Sequence, residues 1–505
     1  APVFSLNSFI TLAVIAISIS LVKLNYSARN QSVVDEPYGR IDTKEKRDSL
    51  FSNILSFGRP TEYHHNFDIR YTLPINKIPV LSWVNSSINY DASYDWRSTS
   101  LASEDYGNTI QNNNSIKLNT QFNLTSLYNK IPFLKKILSN NSPSNKSRIP
   151  SRSRLDNKQS DDESDEGQEK FKAIRYLAKG LFSVKNFSIS YTETNGTLLP
   201  GFLPQSSLFG LSNPFSDPAP TLGFVLGSQN DIRIQAANSG WITTNPALNN
   251  LYVQTFSNNL NLRATIEPIS RFKIMLTGSR RYSINENEYF RNINTEDDPV
   301  FDHVSNSRTG SFNISFLPIK TAFVQDRVDN SSELFDNFIQ YRFDVAQRLG
   351  NEAGLLFDPQ SYPDGYGPNS QDVMIPAFLA AYSGTSPDKQ SLNKFPSIPM
   401  PNWNVNFNGF TKIPWVKNRF KNVTMSHSYR SSYSVGSFMS NLLFEQEIYD
   451  ANNNFLSEFQ IDQVNITEQF APFLKLDLTM KNSMTTRFEY KKDRTISLSL
   501  SNSQI

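Results

Sequence analysis

Along most of this chain apolar and polar side chains take alternate positions, a period of two that a pleated β-strand turns into two chemically distinct faces. Ile88, Tyr90, Ala92, Tyr94 and Trp96 oppose Asn89, Asp91, Ser93, Asp95 and Arg97, while Leu260, Leu262, Ala264 and Ile266 oppose Asn261, Arg263, Thr265 and Glu267. Similar rows recur at Phe67-Ile69-Tyr71-Leu73, Ile116-Leu118-Thr120-Phe122-Leu124, Phe187-Ile189-Tyr191, Phe272-Ile274-Leu276, Phe312-Ile314-Phe316, Leu474-Leu476-Leu478-Met480 and Ile496-Leu498-Leu500. With weaker candidates, about seventeen strands are predicted. The clearest are about as long as a strand that crosses a bilayer.

An apolar row meets either hydrocarbon or a protein core. Composition favours hydrocarbon: only 38% of the 505 residues are hydrophobic, yet the chain holds 37 Phe and 21 Tyr. Transmembrane barrels produce this mixture because each strand alternates lipid-facing apolar residues with lumen-facing polar ones, so no segment is apolar throughout. The expected fold is therefore all-β, an antiparallel transmembrane β-barrel wall. A soluble β-sandwich would show the same alternation, whereas a β-solenoid requires a repeat of fixed period, and none is found. Tyr94, Trp96, Trp403, Trp415, Tyr429 and Tyr433 lie near predicted strand ends and fit interfacial girdles as well as a core.

The apolar run from Phe9 to Val22 is too short for a membrane helix. Read as a signal peptide it lacks an initiating methionine and a basic leading region, since no side chain before Lys23 is charged. Its alternation of Ile15, Ile17, Ile19 and Leu21 with small residues, continued by Leu24 and Tyr26, predicts a strand.

Two segments leave the two-residue period. Leu334, Phe338, Val345 and Leu349 fall at helical spacing, with Ser331 and Ser332 placed to cap the start and Gly350 to stop it, so a helix is predicted over 332–349. Leu50, Ile54 and Leu55 after Asp42 and Glu45 predict another near 43–56. Both belong in connections, outside the wall. Residues 139–169 join a basic Ser/Pro/Asn-rich stretch to the acidic run Asp161, Asp162, Glu163, Asp165, Glu166 and read as a disordered charged loop. The alternating ligands and distal Glu of a Ca²⁺ loop are missing from it. From about 346 to 402 the chain is punctuated by Pro and Gly and reads as a long loop with a helical turn in the apolar piece Met374 to Tyr382.

No chemistry announces itself. A net charge of +2 gives no electrostatic case for nucleic acid, and with no cysteine the chain has no thiol, disulfide or thiolate-held cluster. His64 and His65 are adjacent and face opposite sides of a strand. His303 has no carboxylate at ligand spacing, and His427 lies in phase with Val423, Met425 and Tyr429, as a hydrogen-bonded structural histidine does. Nucleophile elbows, phosphate loops and dinucleotide fingerprints are absent. No catalytic, cofactor-binding or metal-binding residue is assigned, and no enzyme activity is expected.

Six longer phrases, in order, carry a resemblance: NTIQNNNSIKLNTQFNLTSLYNKIPFLKKI from Asn108, SISYTETNGTLLPGFLP from Ser188, GWITTNPALNN from Gly240, IPAFLAAYSG from Ile375, PNWNVNFNG from Pro401 and SHSYRSSYSVGSF from Ser426. In these the chain resembles the SprA/Sov family of outer-membrane translocons of the type IX secretion system, over most of residues 60–505. The resemblance implies an outer-membrane, cell-surface protein of Bacteroidota-type bacteria that passes folded cargo outward and is required for gliding in species that glide. It implies the lipid bilayer, secreted cargo proteins and plug or accessory subunits as partners, no nucleic acid, no catalysis and no cofactor. It also implies part of a very large barrel, about seventeen strands being roughly half of the largest single-chain wall known, a wall of this family. Family members are several times longer, so both ends of the chain read as cut, and residues 1–35 match less well. The alternative is a self-contained porin or receptor-type barrel for solute uptake.

The expected organisation is barrel-wall strands over 1–138, the charged loop at 139–169, wall strands over 170–330, a long loop region over 331–402 with its helix at 332–349, and wall strands again over 403–505. Because its composition cannot build a core, deleting residues 139–169 is expected to leave folding unchanged. Protease digestion of the purified protein checks this: the segment should be cut first, and strong protection there contradicts the reading.

Overall fold

The computed structural model describes residues 8–18, 21–35, 37, 39–55, 58–132, 182–294, 298–325, 327, 332–444 and 446–500. The charged loop at 139–169 lies outside the described residues. The chain is all-β, a single antiparallel sheet of fourteen strands. In order these are β1 (Ser8–Ser18), β2 (Val22–Val33), β3 (Arg59–Leu73), β4 (Val84–Arg97), β5 (Asn108–Asn123), β6 (Val184–Phe202), β7 (Tyr252–Ile269), β8 (Phe272–Asn292), β9 (Phe301–Ser315), β10 (Asn402–Phe407), β11 (Phe420–Ser440), β12 (Phe459–Ile461), β13 (Gln463–Met480) and β14 (Thr485–Ser499).

Each strand pairs with its sequence neighbour up and down the wall, the meander from which barrel walls are built. The exception is the place between β8 and β11, which two short strands share. β9 pairs residues 280–292 of β8, and β10 pairs residues 272–277 of the same strand. The chain leaves the wall at Ser315, makes an excursion over 316–401, and returns beside its exit, where the Met400 amide donates to the Ser315 carbonyl at 2.9 Å. β12 likewise runs on into β13. Among the described residues fourteen strands thus fill twelve places in the wall, against about seventeen predicted over the whole chain. The difference is length: β8 and β11 have 21 residues each and β6 has 19, so one strand absorbs what short windows divide.

The predicted strand from Phe9 through Tyr26 is a hairpin. Ser18 pairs with Lys23, and the reversal lies where the apolar phase slips from Leu21 to Leu24. The row drawn through Leu124 ends one residue earlier, because the Asn123 side chain accepts from the Ser126 amide at 3.1 Å and caps a short helix, Leu124–Lys130.

Connections differ between the two ends of the wall. One end carries tight reversals at 270–271 and 481–484 and is here the turn end. The other, the insert end, carries 34–58 with the helix Lys44–Leu55, and the larger insert 203–251. The excursion 316–401, the second insert, folds back toward the same end. Its helix Glu333–Glu352 buries Leu334, Phe338, Val345 and Ala346 on one side, as the predicted period requires. Gly350 does not stop this helix, which runs on to Glu352. Phe357 and Pro363 press against it so closely that a Cβ would stand 2.7 Å from each.

The stretch read as a loop with one helical turn contains a second full helix, Gln371–Ser383. It is apolar all round and buried all round, with Val373, Ile375, Ala377 and Leu379 sealed among the first helix, Phe312 and Ile314 of β9, Tyr433 and Val435 of β11 and Ile466 of β13. Its missing amphipathic period is what hid it from a pattern reading.

A glycine marks the tightest approach in this core. The Phe438 ring lies across the strand over Gly310, where a Cβ would come within 2.3 Å of the ring and 2.4 Å of the Ser283 carbonyl oxygen. Gly310→Ala should cost about 1–3 kcal/mol through overpacking. Gly436→Ala, where a Cβ meets nothing within 4 Å, should be silent. Denaturant midpoints of the two variants in detergent check the contrast.

Candidate functional site

Registers between neighbouring strands carry one side-chain phase unbroken across the sheet. On one face Ile69, Tyr90, Ile116 and Glu193 stand side by side on β3 to β6, as do Ile266 with Ile274 on β7 and β8, and Leu276 with Trp403 on β8 and β10. This is the apolar face. The opposite face is polar on every strand from β2 to β14, among them Asn25, Asp68, Asp91 and Ser115 in one row and Asp477 beside Arg487 in another. Ile88, Tyr90, Leu262, Ile266 and Ile274 all point away from the polar face and are partly exposed, not enclosed between two sheets.

Charges on the polar face are paired and mixed in sign. Lys117 Nζ donates to Asp91 at 2.7 Å, Asn25 Nδ2 to Asp68 at 2.9 Å, Arg487 Nε to Asp477 at 2.7 Å, and His64 Nδ1 meets Asp95 at 2.7 Å. Solvated pairs like these add little stability. Their consequence is a largely wetted surface with no dominant sign, interrupted by Leu198, Val253 and Met275.

The apolar face divides along its length. A 21-residue strand is about 70 Å long, whereas crossing hydrocarbon takes about 9–11 tilted residues. From the turn end the side chains are apolar for the first stretch, over 84–90, 116–122 and 260–266, except for Ser86 and Thr120, which bond each other at 2.8 Å, and aromatics gather at its start. Trp83 and Phe122 (5.8 Å between ring centroids), Phe122 and Phe187 (5.7 Å), and Phe272 and Phe407 (5.8 Å) form a girdle-like row that the sequence reading did not single out.

Beyond that band the face turns polar along a line through Asn114, Glu193, Asn258, Arg280, Glu468 and Lys492. Past this line the two inserts cover it. Tyr94, Trp96 and Tyr433, at most 1% exposed, lie under the inserts and make no girdle. Tyr429 is buried as well, stacked 4.3 Å from Trp403, while Trp415 stays exposed near the turn end. The strands outrun the band, so their far ends face protein.

The first insert is held by polar side chains set into the apolar phase. Asn112, fully buried, donates to the carbonyls of Phe224 and Ser228 at 2.9 and 2.8 Å and accepts from Gln229 Nε2 at 3.0 Å. Gln229 accepts in turn from Thr197 at 2.9 Å. His65, 1% exposed, meets the Val225 carbonyl through Nε2 at 2.7 Å, and Trp96 Nε1 donates to Pro204 at 3.1 Å.

A second hold is ionic. Arg233, on the short helix Arg233–Asn238, contacts Glu288 of β8, stacks 4.3 Å over the Tyr252 ring and forks onto Asp231 at 2.9 and 2.8 Å. Burial works against the charge of Asp231, but the guanidinium outweighs it and holds the carboxyl below its usual range. His303 Nδ1 reaches the same Glu288 oxygen at 2.8 Å, a partner fifteen residues away that spacing did not disclose.

The second insert is tied by β14. Arg494 donates to Glu468 at 2.8 Å and to Thr321 Oγ1 at 2.8 Å, Glu468 accepts from Tyr429 at 2.7 Å, and Lys492 Nζ donates to the Ala322 carbonyl at 2.8 Å. His427 is hydrogen-bonded through Nδ1 to the Phe473 carbonyl at 2.6 Å. His64 and His65 point to opposite faces. No cluster of three or more His, Cys, Asp or Glu able to hold a metal occurs among the described residues. All six quoted phrases touch these two docked inserts or the strands beneath them.

No protein-family model and no curated protein matches the chain. Among solved structures it is similar to CdiB from Acinetobacter baumannii, at 6% identity and a TM-score of 0.17, over 97% of this chain and 60% of that one. It is also similar to BamA from Haemophilus ducreyi lacking POTRA domains 1–3, at 9% identity and a TM-score of 0.15, over 97% and 70%. The chain thus spans 60% of the length of CdiB. Likenesses this low carry no argument about mechanism.

Replacing Asn112 by Leu keeps the volume and strands two carbonyls and an amide, at about 1–3 kcal/mol for each buried group left unpaired. Asn112→Leu should therefore open the first insert: protease cuts within 203–251 should accelerate while the strands stay protected. Peptide mapping of a timed digest reads both, and an unchanged cutting rate contradicts the latch.

Proposed function

We propose that this chain is part of the wall of a large outer-membrane barrel and that the whole protein conducts folded cargo to the cell surface as the SprA/Sov translocon of type IX secretion. The division of the wall strands from β2 to β14 into one apolar and one polar row carries the reading, since it fits hydrocarbon on one side and water on the other. The six ordered phrases favour this family over others. In gliding species the same protein is required for gliding.

The polar face then lines the lumen. Its mixed-sign side chains offer a passing protein little apolar surface to bind and no single charge to adhere to, as a conduit for varied cargo needs. Among the described residues β1 and β14 each pair on one side only, and in hydrocarbon such edges must be covered, by each other or by further strands. The lumen width, large enough for folded proteins, rests on the resemblance. A barrel that wide cannot fill its interior with side chains, so plugs or accessory subunits must keep the membrane sealed. No catalytic step and no cofactor is proposed.

Deleting the whole gene while following type IX cargo and small-solute uptake tests the proposal. Cargo should be trapped in the periplasm with uptake unchanged. Normal secretion with impaired uptake would reject the translocon in favour of the porin or receptor.

A further inference from the structure

Three stretches of the two inserts come down to the polar line of the apolar face, and each is tied there by a backbone carbonyl. Tyr90 Oη donates to the Leu226 carbonyl at 2.7 Å and Asn114 Nδ2 to that of Gly227 at 2.6 Å. Arg280 Nε donates to Pro396 at 3.0 Å, and Lys492 Nζ to Ala322. Beside each anchored carbonyl stands a large apolar side chain left bare. Leu226 is 37% exposed, Ile398 76% and Phe323 52%. Other apolar side chains of the inserts are bare as well, Phe215 and Leu356 among them, but these three, at the insert edges, stand beside the carbonyls that tie the inserts to the polar line.

We infer that these edges rest in the leaflet nearest the insert end, with Leu226, Ile398 and Phe323 in the acyl-chain boundary, so that the inserts form a collar that fixes how deep the wall sits. The inference rests on the membrane wall proposed as this chain's function. Continuity names the occupant: the bare side chains extend an apolar band that, in such a wall, already meets lipid. The chemistry at the third edge agrees. Along β14 the apolar face runs Phe488, Tyr490, Lys492, and the Lys492 ammonium lies 4.2 Å over the Phe323 ring. Apolar, then aromatic, then cation is the order in which side chains meet a hydrocarbon–water boundary. The polar line explains itself on the same terms, because its donors bond insert carbonyls at a depth where water is scarce.

This chain has no cysteine, so once any cysteine elsewhere in the full-length protein is replaced by serine, single cysteines report one site each. A fluorophore sensitive to bromine is placed at Leu226, Phe323 or Ile398 in the full-length protein, with Leu262 of the band and Ile448 of the connection after β11 as references. The protein is reconstituted into phosphatidylcholine vesicles whose acyl chains carry bromine near the headgroup or near the methyl end. Fluorescence at the three edge positions should be lost with shallow bromine, at Leu262 with deep bromine, and at Ile448 with neither. Leu262 quenched with all three edge positions unquenched would overturn the collar, leaving those edges in water or under a protein subunit while the wall still spans the membrane. Leu262 unquenched by either lipid would overturn the membrane reading itself.

Discussion

In the membrane wall proposed for this chain a backbone amide in hydrocarbon has no water to bond, and the arrangement of the sheet answers to that. A strand can cross only with partners on both sides for the length of the band. Hence the meander in which neighbours in sequence are neighbours in space, and hence β10. Its six residues occupy the place that β9 abandons, and without them residues 272–277 of β8 and 425–429 of β11 would present open edges inside the band. The excursion between β9 and β10 is tolerated because it begins and ends at one point of the ladder.

The same constraint releases its hold beyond the polar line. There the strands no longer need an apolar outward row facing lipid, and the row instead becomes the floor of a protein core. Asn112, Thr197 and Glu288 can sit in the apolar phase because an insert supplies their partners, with the Glu288 contact also shared by His303, while Glu468 is held by Tyr429 and Arg494 of the neighbouring strands. Removing Arg233 would leave Glu288 buried without its main counter-charge, the costly way to break such a pair. One sheet therefore serves two media in succession, and the change of medium is written in a single row of side chains.

Much of this was legible in the chain. The alternating rows disclosed the strands and their two faces, and the helical spacing of Leu334, Phe338 and Val345 disclosed a helix amid β-structure. What escaped had physical reasons. The hairpin at the start was hidden because apolar residues continue through the turn, and only the phase slip between Leu21 and Leu24 marks it. The helix Gln371–Ser383 was hidden because burial on all sides erases periodicity. Tyr94 and Trp96 were open to a girdle reading because the insert that covers them has no period of its own and lies more than a hundred residues away in sequence. Asn112 and Asn114 were the available signal: polar residues in the apolar phase, in a row otherwise fit for lipid.

The seam between β9 and β10 also orders events in time. β9 follows β8 directly whereas β10 lies beyond the excursion 316–401, so residues 272–277 of β8, paired to β7 on one edge, keep the other edge open until β10 arrives. The entropy of closing so long a loop grows only slowly with its length, about 0.6 kcal/mol per doubling. What shortens the wait is the insert itself: once its two helices have packed, the Ser315 and Met400 ends are held side by side and β10 is delivered to its slot. The last stretch of wall to zip shut is thus governed by a domain that is not wall at all, and a chaperone that held the insert open would hold the barrel open with it.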